Sequence, residues 1–209
     1  MIEAPWYRLE HVLQAFHPAL LARLGDGASE ADIAACEADI GMRLPGTFRT
    51  ALARHGGDPT IVLGKDTLGS HGVFHQVDFL RPAAIAAEYV AWRDTTSRHT
   101  FMAESVGPVR AQWWNPKWIP ITVVSGLAWH HCIDLDPAPG GTFGQIIEMG
   151  KRDARRIVVA DSFTDLLTRL AEDIAAGIYR FDGEFLRLSD GAVDARTPGG
   201  CLPVAAMQP

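Results

Sequence analysis

Gln112-Trp113-Trp114-Asn115-Pro116-Lys117-Trp118-Ile119-Pro120-Ile121 decides how this chain is read, together with Cys132-Ile133-Asp134-Leu135-Asp136-Pro137-Ala138-Pro139-Gly140-Gly141-Thr142-Phe143-Gly144-Gln145-Ile146-Ile147. The first run holds half of the six Trp residues. Trp and Ile need a large core to bury them, and Ile favours a pleated sheet. A tight Pro/Gly turn separates two apolar strands. The stretch therefore reads as the middle of an antiparallel sheet. Strands are expected over 109–114, 118–124, 127–135 and 142–149. Turns are expected at Asn115-Pro116-Lys117, at Ser125-Gly126 and over 137–141.

Upstream, helical spacing dominates. Trp6, Leu9, Leu13 and Phe16 recur at three- and four-residue steps after Pro5, which suits a first helical position. Pro18 interrupts, and Leu20, Leu21 and Leu24 continue after a kink or a fresh start. Ser29 with Asp32 has capping-box spacing. Ile33, Cys36 and Ile40 form the stripe of the helix that follows, and Gly41 ends it. Leu44-Pro45 opens another helix, with Phe48, Ala51, Leu52 and His55 on one face and Gly56-Gly57 as its stop. His55 reads as a residue that complements the helix end or faces solvent. Short strands are expected over 61–63 and 73–80, then a helix from Pro82 with Ile85, Tyr89 and Trp92, then a loop over 93–100.

Downstream, Gly150 to Arg156 reads as a charged connector and Ile157 to Ala160 as a short strand. Ser162 caps a helix with Asp165 in the third position; its face is Phe163, Leu166, Leu167, Leu170 and Ile174. Asp182-Gly183 between alternating runs signals a hairpin. The tail 189–209 is rich in Gly, Pro and Ala. Helices first, then strands with one inserted helix, then a last helix, give an α+β fold. A mainly antiparallel sheet forms its centre, with helices on one side.

Composition narrows the function. The 209 residues carry a formal charge of −6 and are 47% hydrophobic, within the ordinary globular range. No Lys/Arg run marks a phosphate-binding face, so no direct nucleic-acid partner is expected. No apolar run is long enough to span a membrane, and the N-terminus lacks a secretory pattern. Three cysteines, odd in number and far apart, argue against a disulfide framework and for a cytoplasmic location.

The stretch Gly27 to Gly57, with Ser-Glu-x-x-Ile, Ile-Gly, Leu-Pro, Phe, Leu and His-Gly-Gly in order, resembles the N-terminal signature of the SUKH superfamily (Smi1/Knr4-like). Trp118-Ile119-Pro120-Ile121, Cys132 to Pro137, Gly144-Gln145-Ile146 and Ala160-Asp161-Ser162-Phe163 extend the resemblance. It divides the chain into a helical extension over 1–28, the SUKH-like domain over 29–177, and a hairpin with a tail over 178–209. It implies a central sheet and a protein-binding role without cofactors. Bacterial members are regarded as immunity proteins against polymorphic toxins, often nucleases. Fungal members are regulators of cell-wall assembly. The expected function is therefore stoichiometric neutralisation of a cognate toxin, with a scaffold of envelope assembly as the alternative.

Three features could carry other chemistry. Asp134 and Asp136 share a strand face with His130, a set that could hold a metal for hydrolysis. A structural role is the stronger reading, because Asp136 precedes Pro137 and can bond the turn backbone. His71 and His75 lack a helical zinc motif. Trp113 and Trp114 alternate, so one of them should reach the surface while Trp118 points inward. The expected partner contacts are Trp113, Trp114, Asp134, Asp136, Glu104, Asp66 and Asp78.

Overall fold

The computed structural model describes residues 6–57, 78–96, 101–123, 129–151, 153–182 and 185–189. Helix α1 (Tyr7–Phe16) buries Leu9 and Leu13, and the neighbouring Trp6 donates its Nε1 hydrogen to Ala51 O at 3.0 Å. Phe16 departs from the expected face and is 61% exposed. Helix α1 ends at that residue, and Pro18 opens a separate helix, α2 (Pro18–Arg23). Helix α3 (Glu30–Ile40) starts with the expected capping box: Asp32 N donates to Ser29 Oγ at 3.1 Å, and Ser29 N to Asp32 Oδ2 at 3.3 Å. Ile33, Cys36 and Ile40 are buried, and Gly41 ends the helix at φ 67°.

Helix α4 (Gly46–Arg54) buries Phe48, Ala51 and Leu52. His55 caps its end but is not a solvent residue. Its ring lies 2.8 Å from Glu10 Oε1 and 3.2 Å from Gly25 O, which ties α4 to α1. Helix α5 (Pro82–Thr96) buries Ile85, Tyr89 and Trp92. It runs four residues into the expected loop, where Thr95 and Thr96 bond carbonyls one turn back.

The main sheet has the order β2-β7-β6-β5-β3. Its strands are β2 (Glu104–Val106), β3 (Trp118–Pro120), β5 (Trp129–Asp134), β6 (Gln145–Gly150) and β7 (Asp153–Ala160). All neighbours are antiparallel except β2 and β7 at one edge. A side pair joins β1 (Asp78–Phe79) to β4 (Thr122–Val123). Helix α6 (Phe163–Ala175) follows β7, with Ser162 accepting from Asp165 N as its cap. The hairpin β8 (Tyr179–Asp182) and β9 (Phe185–Leu188) comes last.

Three strand expectations need correction. Residues 109–114 are not a strand; the strand lies earlier, at β2. The expected 118–124 strand breaks at Ile121, so β3 and β4 belong to different sheets. The charged connector is the first half of β7. Of the strand expected over 73–80, residues 73–77 lie outside the described residues and Asp78–Phe79 form β1. The 61–63 strand, the Ser125-Gly126 turn, the two histidines His71 and His75, and the tail beyond Ser189 lie outside the described residues.

The sheet separates two cores. One face presents Ile119, Ile133, Ile146 and Ala160 to Leu9, Leu13, Phe48, Phe163, Leu167 and their helical neighbours. Trp6, Leu13 and Leu24 join this core, so residues before Ser29 pack with the rest. The other face carries Trp118, Cys132, Ile147 and Met149 against Trp92 and Val109. Helix α5 serves both, with Ile85 and Tyr89 in the first core and Trp92 in the second.

Candidate functional site

The second face is closed by the irregular segment 107–117, which is fastened by polar bonds. Trp118 and Asp134 are register partners, as are Asp134 and Gln145, so all three side chains share this face. Asp134 Oδ1 accepts from Trp118 Nε1 at 3.0 Å and from Asp136 N at 2.9 Å; its Oδ2 accepts from Gln145 Nε2 at 2.9 Å. Gln145 also donates to Pro108 O at 3.0 Å. Asp136 accepts from Asn115 Nδ2 at 2.9 Å and pairs with Arg110 at 2.7 Å. Asn115 Oδ1 in turn accepts from Lys117 N at 2.9 Å. Asp136 therefore fastens the segment directly through Arg110 and Asn115, while Asp134 acts through Gln145, which bonds Pro108.

Their charges differ. Burial pushes the Asp134 carboxyl up, opposed by its three donors, and the charge of Asp136 adds to the rise. Asp136 is held below the usual carboxylate range by Arg110 and then by Asn115. Asp134 is wholly buried, so this expected partner contact is corrected: the carboxylate is an internal strut.

Arg156, on β7, is also fully buried. Its guanidinium donates to Trp113 O at 2.8 Å, to Asp153 O at 2.7 Å and to Arg155 O at 2.8 Å, and lies 4.6 Å from the Trp113 ring centroid. Burial lowers its pKa to about 10. The sequence reading missed it because a charged run resembles a linker. The available signal was the β-branched run Ile157-Val158-Val159, which extends a strand back through Arg156.

The aromatic cluster sits on this support. Trp114 stacks on Trp92 at 5.6 Å and meets Tyr89 edge-on at 5.4 Å. Trp113 packs on Phe101 at 4.6 Å. Both Trp113 and Trp114 are half-buried, so the alternation argument fails with the strand it assumed, while Trp118 is fully buried as expected. Phe101 is 40% and Met102 84% exposed. Glu104 is exposed on β2. Of Asp78 only the backbone is described, paired with Val123. Asp66 is outside the described residues.

The metal set does not assemble. Trp92 Nε1 lies 3.4 Å from His130 Nδ1, and His130 Nε2 lies 3.0 Å from Glu88 Oε2. Burial raises Glu88, but the bond and charge of His130, with Lys151, hold its carboxylate low. His130 and Asp134 stand four strand residues apart, about 13 Å, each bound to its own partners. Among the described residues no cluster of three His, Cys, Asp or Glu side chains could hold a metal ion. The thiols of Cys36 and Cys132 are buried, and burial pushes both up, Cys36 to about 12, far from nucleophilic reactivity.

A comparison with protein families adds to this geometry. The model of the SMI1 / KNR4 family (SUKH-1) matches residues 27–169. The chain belongs to the SUKH-1 family. It is 28% identical to the cell wall biosynthesis/cell cycle regulator smi1 of Schizosaccharomyces pombe, over 87% of this chain and 38% of that protein. It is 22% identical to the cell wall assembly regulator SMI1 of Saccharomyces cerevisiae, over 82% and 40%. It is 26% identical to a glucan synthesis regulatory protein of Neurospora crassa, over 87% and 40%. The SUKH-1 chain thus spans about two-fifths of these relatives' length. No helix among its described residues is long and apolar enough to cross a membrane.

Proposed function

We propose that this SUKH-1 domain is a non-catalytic protein-binding module that regulates cell-wall or envelope assembly by stoichiometric contact. One observation carries the reading. Asp136 and Gln145 fasten 107–117 through Arg110, Asn115 and Pro108, Asp134 holds Gln145 in place, and the segment packs Trp113 on Phe101, whose chain neighbour Met102 is exposed. Polar groups suited to chemistry thus serve as struts, and the exposed residues around them combine apolar Phe101 and Met102 with charged Glu104, Arg110 and Lys117. Trp is enriched among interface hot spots, and about 800 Å² per partner is typical of a stable complex. Trp113, Trp114, Asp136 and Glu104 are the contacts this surface offers. The relatives' names, all of regulators, favour this reading over neutralisation of a toxin. A cytoplasmic location goes with it.

The test is affinity capture from the native cell with the wild-type chain and with M102A/W113A. Recovery of several envelope-assembly proteins, lost with the variant, supports the regulator. A single tightly held toxin would instead restore the immunity reading. Equal recovery by both proteins would remove the aromatic surface from the interface.

A further inference from the structure

A cleft of about 550 Å³ opens between α3 and the start of α5, within the range of ligand-binding clefts. It lies among the helices, apart from the aromatic surface, and the inference stands independently of that surface. Its floor is main chain. A Cβ on Gly56 would meet Ala28 N and Asp26 O at 2.8 Å, and one on Gly57, at φ +96°, would meet Arg81 N at 2.5 Å. Gly56 N donates to Asp26 O at 2.9 Å, and Ala28 N to Leu52 O at 2.8 Å. The signature glycines thus let three backbone segments touch, which fixes the floor. The walls carry Ala28, Ala35 and Ala83, too small to fill the space.

The charges on this cleft are unequal. Asp26, Asp32 and Asp39 line it against Arg81. Asp32 uses one oxygen on the Ser29 cap. The carboxylates of Asp26 and Asp39 have no hydrogen-bonded or ionic partner among the described residues. The whole chain is acidic as well, at −6. A groove of this size, with two carboxylates that have no partner among the described residues, is complementary to a guanidinium or ammonium group on a flexible stem.

We propose that this cleft receives an arginine- or lysine-bearing segment of a partner protein. The carboxylates attract the cation, and the alanine walls take its methylene stem. The probe is a hexa-arginine peptide titrated into isotope-labelled full-length protein at low salt, with hexa-glutamate as control. Backbone amide shifts should concentrate at Ala28, Ala35, Gly56, Gly57 and Ala83, and affinity should fall with added salt. D26N/D39N should weaken binding by about tenfold. A35R, which fills the cleft with a cation from an exposed helix position, should abolish the focused shifts while the thermal melt stays cooperative. D161N, on the loop before α6, should change nothing. Shifts spread over the acidic surface, or unchanged affinity in D26N/D39N and A35R, would overturn the proposal.

Discussion

The two faces of the central sheet are closed in different ways. One is covered by helices whose apolar residues recur at helical spacing, so Leu9, Leu13, Phe48, Leu167 and Ile174 meet Ile119, Ile133 and Ile146 mainly by hydrophobic burial. The other is covered by 107–117, which has no regular structure. It stays in place because Asp136, Gln145 and the buried Arg156 bond its backbone and side chains, with Asp134 holding Gln145. Burial is non-directional and tolerates small shifts, whereas a buried polar strut fails when one partner goes. The same sheet thus has one face that is forgiving and one that is specified bond by bond.

The largest effect tests the helical face. F48A removes a fully buried ring that meets Phe79 and Phe163, and it should cost about 3–5 kcal/mol in urea unfolding, across the whole transition. Next comes the strut. R156A leaves the carbonyls of Trp113, Asp153 and Arg155 without their donor, at about 3 kcal/mol. Its signature is a change in near-UV circular dichroism from Trp113 while the helical far-UV signal remains. A loss under about 1 kcal/mol would end the contrast between the faces.

A third effect is pH-dependent. His131 is bonded to Thr122 at 3.0 Å and lies 4.0 Å from Glu148. Burial, then the charge of His130, lower its pKa from 6.5 to about 4. Below pH ~6.5 the unfolded chain takes up a proton that the folded chain refuses. Its contribution is therefore full above that pH and falls as pH drops towards 4, by about 2 kcal/mol at pH 5. Chemical denaturation of the wild type and H131Q across this window should give a slope in the first and a flatter line in the second. The smallest effect belongs to D136N. Its ion pair with Arg110 is more than a third exposed, so the loss should stay within about 1 kcal/mol. A larger loss would mean that 107–117 hangs on this pair rather than on Arg156.

The helices were legible because their signals are local. Ser29 with Asp32, Ser162 with Asp165 and the stops at Gly41 and Gly177 fix ends within a few residues. Asp136 is expected to bond the turn backbone, but its carboxylate takes the side chains of Asn115 and Arg110, and it is Asp134 that accepts from the Asp136 N–H. The strut Arg156 was hidden, since its three acceptors are backbone carbonyls, and Trp113 lies 43 residues away. Alternation misled at Trp113-Trp114 because period two holds only inside a strand.

By itself the sequence determined the α+β order, the capped starts of α3 and α6, the inward Trp118 and the family signature, all through short-range propensity and periodicity. Only the tertiary structure decided that Asp134 is internal, that 107–117 crosses the sheet as loop, and that the signature glycines floor a cleft. Those outcomes depend on which distant backbone groups need a donor or leave no room for a Cβ. Such pairings across dozens of residues leave no periodic trace in the chain.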